Sequence, residues 1–194
     1  MKKIILASGS PRRKELLNQI GLQFEVVPSN YEEDMSLKMP PRKLAEFLSL
    51  QKASDVAKRT KGIDGVVIAA DTFVVYKNHR LGKPHTEAKA LEMLKMLNGK
   101  VHSVVTGFTI IDLVTDKRVT KSSETKLYFR KLSDEQLKKY ISSGETLDKA
   151  GAYAIQGLGA TLIKKIKGDY YNVVGLPLAD LLDELDNFEI NILI

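Results

Sequence analysis

The chain has 194 residues, 43% of them hydrophobic, which suits one globular domain over residues 1–194 with a core of ordinary size; no apolar run approaches the ~20 residues of a membrane helix. There is no cysteine and only three histidines, His79, His85 and His102, so disulfides, thiolate metal sites and cysteine nucleophiles are excluded. Without paired histidine ligands, any metal must be held by oxygens, which suits magnesium or manganese. The net charge of +6 favours an anionic partner such as a nucleotide or a nucleic acid, although many soluble proteins carry as much without one, and no block of like charges marks a basic arm.

The opening MKKIILASGS has too short an apolar stretch for a signal peptide, and Pro11-Arg12-Arg13 follows at once, so Lys3 to Ala7 reads as a buried first strand of a cytoplasmic protein. Ser10-Pro11 opens a helix, with serine as N-cap and proline at the first helical position. Leu16, Leu17 and Ile20 form its apolar face, and Gly21 stops it. Phe24 to Val27 is a short strand. Arg42 to about Arg59 is a long amphipathic helix with Leu44, Phe47, Leu48, Leu50 and Val56 as core positions. Val66 to Ala70 is a buried strand that continues extended from Thr72 to Tyr76, and Asn78-His79 is a hairpin turn. Thr86 caps a helix reaching Leu97, closed by Asn98-Gly99. Two long strands follow, Ser103 to Leu113 and Arg118 to Phe129, with Thr115-Asp116-Lys117 at the turn. Ser133 and Gln136 form a capping box for a helix that Gly144 ends; Thr161 to Ile166 is a strand and Leu178 to Leu185 a last helix. Interspersed strands and helices with hairpins predict a mixed α/β sheet.

Several segments carry candidate chemistry. In Ala7-Ser8-Gly9-Ser10-Pro11-Arg12-Arg13 a strand runs through small residues into a helix start, where backbone N–H groups, two hydroxyls and two guanidinium groups suit a phosphate. This is not a P-loop, since no Gly-Lys-Ser/Thr follows, and the plain alternative is a capped helix with solvated arginines. Asp71, in Ile68-Ala69-Ala70-Asp71-Thr72, follows a buried strand, so it is expected at a strand end, able to hold a metal or take a proton from water, or simply to cap a turn. Lys52, Lys83 and Lys149 are candidate phosphate partners or ordinary surface charges. The cluster Glu32-Glu33-Asp34 offers metal oxygens or is a polar loop. Ala150 to Gly159 is rich in glycine and alanine, so a planar ligand can lie near its backbone with Gln156 against a base edge. Together these supply phosphate donors, cations and carboxylates, the set that phosphoryl chemistry needs for positioning and charge neutralisation.

The ordered motifs LASGSPRRKELL, YEED, QKA, ADT, LGKP, LDKAGAYAIQG and GDYYNVVGLP resemble the Maf family of nucleoside triphosphate pyrophosphatases, over Ile4 to about Asp186. The resemblance implies an elongated mixed sheet flanked by helices, in two lobes with a central cleft, similar to inosine triphosphate pyrophosphatases. It implies hydrolysis of a nucleoside triphosphate to the monophosphate and pyrophosphate. Asp71 matches the family's proton acceptor. Arg12, Thr72 and Gln156 match the positions that set base choice, in the pattern of the branch acting on dTTP and UTP rather than the 7-methyl-GTP branch. Ser8, Arg13, Glu33, Lys52 and Lys83 match the polar positions of the nucleotide site, and Lys149 lies in a matching motif. A divalent magnesium or manganese ion is implied on Glu33, with Asp71 as a second ligand. Ala69 stands where many relatives have glycine, with an extra methyl to crowd the site slightly. The family is also linked to arrest of septum formation, which leaves a binding role in cell division as the alternative, and dimers are common in it. No motif supports binding of nucleic acid or membrane.

Overall fold

The computed structural model describes residues 2–34, 36–77 and 79–192. It divides into two compact units. The first comprises residues 1–71, 106–123 and 175–194, and the second residues 72–105 and 124–174, so each takes a segment of three long strands. Among the described residues no helix is long and apolar enough to cross a membrane.

In the first unit, β1 (Lys3–Leu6) pairs in parallel with β2 (Glu25–Val26) and with the start of β3 (Gly65–Tyr76). α1 (Pro11–Gln19) leaves the end of β1. Pro11 is its first residue, where a missing N–H costs nothing, and Gly21 beyond its end takes φ +73°. Ser10 occupies the N-cap position as expected, but its hydroxyl makes no cap bond. Its backbone N–H is instead taken by Ser8 Oγ at 3.2 Å.

α2 (Pro41–Arg59) lies on the sheet. Ala53 and Val56 join Ile5, Ala7, Val67, Ala69 and Ile111 in one buried cluster. Small residues set how closely the helix approaches. A Cβ on Gly107 of β5 (Val101–Asp112) would stand 2.2 Å from the backbone of Ala45, so only glycine fits. Ser49 on α2, fully buried, shares a hydrogen bond with Thr109 at 2.9 Å. Of the predicted core positions of this helix, Leu44, Leu48 and Val56 are buried, while Phe47 and Leu50 are half-buried. The last helix, α6 (Leu178–Asp186), also packs in this unit.

In the second unit the end of β3 pairs antiparallel with β4 (His79–Leu81), and β6 (Arg118–Phe129) pairs antiparallel with β7 (Ile163–Lys167). Among the described residues the sheet has seven strands, in the order β2-β1-β3-β5-β6-β7 with β4 on β3. The mixed α/β class predicted from sequence is what forms. The turn predicted at Asn78-His79 is only partly visible: Asn78 lies outside the described residues, and His79 already pairs with Tyr76 in the β3–β4 ladder. α3 (Glu87–Leu97) is capped by Thr86, and α4 (Asp134–Ile141) by the predicted capping box of Ser133 and Gln136. The strand expected over Thr161 to Ile166 starts later, at Ile163, because Gly157–Leu162 forms a 3-10 turn.

The short helix α5 (Tyr170–Val174) is not among the elements expected from the sequence. Asp169 holds its start by accepting from the N–H groups of Tyr171 and Asn172. Asn172, fully buried, donates to the Val104 carbonyl and to Thr125 Oγ1. The motif GDYYNVVGLP thus supplies structural ties here.

Candidate functional site

Asp71 is not at a strand end. It is the seventh of twelve residues in β3, and 3% exposed. What ends near it is the parallel pairing: β1 matches β3 only as far as Leu6 opposite Ile68, and the Ala7 N–H closes the ladder on the Ile68 carbonyl. Asp71 therefore stands beyond the carboxyl end of β1, where an open parallel sheet exposes ligand positions.

Alternation along β3 puts Asp71 on the same face as Val67 and Ala69, the face covered by α2. Lys52 precedes Ala53, which packs in that same cluster. From there its ammonium donates to Asp71 Oδ1 and, at 2.5 Å, to Glu33 Oε1. The Lys52 and Asp71 side chains are 12% and 5% exposed, and that of Glu33 45%. Burial pushes the Asp71 carboxyl above the ordinary carboxylate range, against the pull of the Lys52 ammonium and with the Glu33 charge adding to the rise. A carboxyl so placed gains affinity for a proton while keeping a cation to orient it. Ala69 is fully buried, its methyl in the cluster under α2.

The Ser8 to Arg13 segment is more internal than the sequence suggested. Arg13 is buried: its Nε donates to the Gly175 carbonyl at 2.8 Å and a terminal nitrogen donates to Ser8 Oγ at 3.0 Å. Burial lowers its affinity for the proton, and the Asp71 charge opposes that loss. Arg13 thus fixes the turn after β1 and adds positive field beside Asp71. Arg12 is half-buried. In the acidic cluster Glu32 and Asp34 are exposed, and Asp34 accepts from the N–H and hydroxyl of Ser36 as a polar loop would, so Glu33 is the member joined to Lys52.

Thr72, Lys83, Lys149 and Gln156 all belong to the second unit. Thr72 is half-buried and Lys83 exposed. The Gly151 N–H donates to the Gly82 carbonyl at 3.0 Å, which ties the Leu81-Gly82-Lys83-Pro84 turn to the Ala150–Gly159 segment. Lys149 pairs with both oxygens of Asp148, at 2.5 and 2.7 Å. Gln156 is half-buried, between two glycines' worth of turn and a buried run from Gly151 to Ile155. Sequence reasoning missed two residues against this segment, His102 and Glu145. His102 Nε2 meets the Tyr153 hydroxyl at 2.7 Å, and Glu145 accepts from the Leu158 and Gly159 N–H groups. A local sign was Gly157, whose φ of +64° favours glycine and where a Cβ would stand 2.8 Å from the Glu145 carboxylate.

Among the described residues no group of three or more His, Cys, Asp or Glu side chains is disposed around a metal position. Glu33 and Asp71 nonetheless converge on one cation, Lys52. Two carboxylates with substrate phosphates and water satisfy a magnesium ion, so this hard-oxygen pair fits such an ion.

The molecule is thus a mixed α/β protein built around a buried aspartate that shares a lysine with a glutamate. The chain belongs to the Maf family: residues 3–188 match the family described as Maf-like protein. A protein of Thermoanaerobacter sp. (strain X514) named dTTP/UTP pyrophosphatase is 51% identical over 98% of this chain and 100% of its own. Proteins of the same name from Alkaliphilus oremlandii (strain OhILAs) and Bacillus cereus (strain ATCC 10987 / NRS 248) are 48% and 50% identical, over 100% and 99% of this chain and 100% and 93% of theirs. A solved structure of protein VC0702 from Vibrio cholerae aligns over 96% of this chain and 98% of its own at a TM-score of 0.45 and 10% identity, too loose a likeness to bear on fold or function.

Proposed function

We propose that this chain is a nucleoside triphosphate pyrophosphatase that cleaves dTTP and UTP between the α- and β-phosphates, giving the monophosphate and pyrophosphate. The observation that carries the reading is the buried Asp71 carboxyl, hydrogen-bonded by an ammonium it shares with Glu33, in a chain about half identical over nearly its full length to proteins named for that activity.

In this reading Asp71 orients a water molecule and takes its proton, a task suited to a carboxylate whose proton affinity is raised by burial. The water oxygen forms a bond to the α-phosphorus, the bond from that phosphorus to the bridging oxygen breaks, and pyrophosphate leaves. Lys52 holds Asp71 in place and, with Arg13, Lys83 and Lys149, offsets phosphate charge; Ser8 offers its hydroxyl. Arg12, Thr72 and Gln156 carry the choice of base. Glu33, with Asp71 as a second ligand, would hold a magnesium or manganese ion. When bound, that ion supplies charge neutralisation across the phosphates. The proposal places the activity in the cytoplasm, where nucleoside triphosphates are abundant.

The test is a panel assay that resolves pyrophosphate from orthophosphate for each common nucleoside triphosphate. Pyrophosphate and monophosphate from dTTP and UTP are expected. Orthophosphate as the first product, or no turnover of any triphosphate, overturns the proposal.

A further inference from the structure

The segment Ala150–Gly159 is pinned at several points within the second unit. On its early side, the Gly151 N–H is bonded to the Gly82 carbonyl, and the Tyr153 ring is buried in edge contact with His102 and Phe129, its hydroxyl on His102 Nε2 at 2.7 Å. The Ala154 N–H donates to the Tyr140 hydroxyl at 3.3 Å. On the far side, one carboxylate does the work: Glu145 Oε1 accepts from the Leu158 N–H at 3.1 Å and Oε2 from the Gly159 N–H at 3.2 Å. Gly159 closes so tightly on the Ala154 carbonyl that a Cβ there would stand 2.2 Å from it. A Cβ on Gly157, at φ +64°, would stand 2.8 Å from Glu145 Oε1. Residues 154 and 159 are thus drawn together, and Gln156 lies in the short arc between them in extended backbone (φ −98°, ψ 167°).

We infer that Glu145 is a positioning residue for base choice: by holding the Leu158 and Gly159 amides it sets where the Gln156 amide points. This rests on the reading of Gln156 as the residue against the base edge. Glu145 itself touches no substrate in this account. A carboxylate accepting two backbone N–H groups, one on each oxygen, fixes two successive residues at once, whereas a side-chain amide in the same place would turn its own NH2 donor toward one of them. Discrimination by hydrogen bonding depends on such fixity, since a donor free to swing adapts to the wrong base.

The experiment compares kcat/KM for dTTP and dCTP in the wild type, Glu145→Ala and Glu145→Gln. The wild type is expected to prefer dTTP by at least about tenfold. Glu145→Ala should reduce that ratio to about threefold or less, with Glu145→Gln, which keeps one acceptor, in between. A simple brace would lower both rates together and leave the ratio unchanged, so a Glu145→Ala ratio within about twofold of the wild type overturns the inference. If the alanine variant fails to fold, the glutamine variant is read by the same ratio, and an unchanged value overturns it equally. Equal wild-type rates on dTTP and dCTP would instead overturn the Gln156 reading, and the inference with it, whereas a preserved ratio in both variants overturns the inference alone.

Discussion

Lys52 and Asp71 are nineteen residues apart, and the ammonium of the first donates to Oδ1 of the second. The pair joins helix α2 to strand β3 and is mostly shielded from water. Two effects oppose each other on the Asp71 carboxyl: burial favours its neutral form and the ammonium favours its charged form, with burial the larger. The cation is therefore what keeps the aspartate available as a base as pH falls.

Lys52→Met tests that balance. Without the ammonium, burial and the Glu33 charge are opposed only by the field of Arg13, and Asp71 holds its proton up to a higher pH. The acid limb of the kcat/KM profile on dTTP should move to higher pH, with a loss of roughly 10–100-fold near pH 7. The measurement is a profile from about pH 5 to about pH 9 for both proteins. An acid limb that stays in place while the rate drops would show that Lys52 acts on the substrate and not on Asp71.

Asp71→Asn keeps the size of the side chain and removes its basicity. Turnover should fall by about 10²–10⁴-fold, the usual worth of a general base. Nucleotide affinity measured by titration calorimetry without added divalent ion, where the Asp71 ligand role does not enter, should change little. Near-normal turnover would remove Asp71 from the chemistry.

Much of the frame was legible because its signals are local. The capping box of Ser133 and Gln136 and the cap at Thr86 each reside within a few residues and form as read, and α2 forms over the expected span with Leu44, Leu48 and Val56 buried but Phe47 and Leu50 only half-buried. The errors come from partners distant in sequence. An aspartate after an apolar run ordinarily ends a strand, yet Asp71 continues β3 because Lys52 compensates its charge from another element. The Ser10 hydroxyl was expected to cap α1, but Ser8, itself held by buried Arg13, takes the Ser10 N–H. Asn172 gave no signal at all, since its bonds to Val104 and Thr125 span 68 and 47 residues. The roles of the motif residues came from family likeness, because a half-buried glutamine or an exposed lysine says little by itself.

Activity should depend on an added divalent ion. Glu33 and Asp71 present only hard oxygens, and the chain has no cysteine. Chelation with EDTA should reduce pyrophosphate release to background, and magnesium or manganese should restore it, zinc less well. Glu33→Gln should raise the magnesium concentration needed for half-maximal rate by about tenfold or more. Full turnover in excess chelator would sink the metal assignment.

Stability should carry a separate pH signature from His102. Burial pushes its imidazole down to about 4 from an ordinary 6.5. The folded state then favours neutral His102, so its contribution is fully present above about pH 6.5 and is lost as pH falls to about 4. The loss amounts to roughly 3 kcal/mol by linkage. Burial opposes ionisation of Asp112, but the Thr115 and Val114 amides and the Lys2 ammonium outweigh it and hold that carboxyl at about 2, so its contribution fades only at lower pH. His102→Gln, which can still bond Tyr153 and cannot titrate, should flatten the fall in melting temperature across that window. An unchanged slope in the variant would exclude His102 as its source.

Base choice gives the last prediction. Gln156 carries a planar amide in an arc tied by Glu145 on one side and Tyr153 on the other. Thymine and uracil present a carbonyl oxygen where cytosine presents an amino group. A donor aimed at that carbonyl meets another donor in cytosine, and an unmatched polar contact in a closed site costs roughly 1–3 kcal/mol. We therefore expect dTTP and UTP to exceed dCTP and CTP by at least about tenfold in kcat/KM. Gln156→Ala removes the donor, so it should narrow that gap more than it weakens binding of pyrophosphate, which engages no base. The measurements are kcat/KM for the four pyrimidine triphosphates in both proteins, with pyrophosphate inhibition constants as the control. Equal rates for CTP and UTP in the wild type would refute the donor account of base choice while leaving the pyrophosphatase reaction, and the role of Asp71 in it, intact.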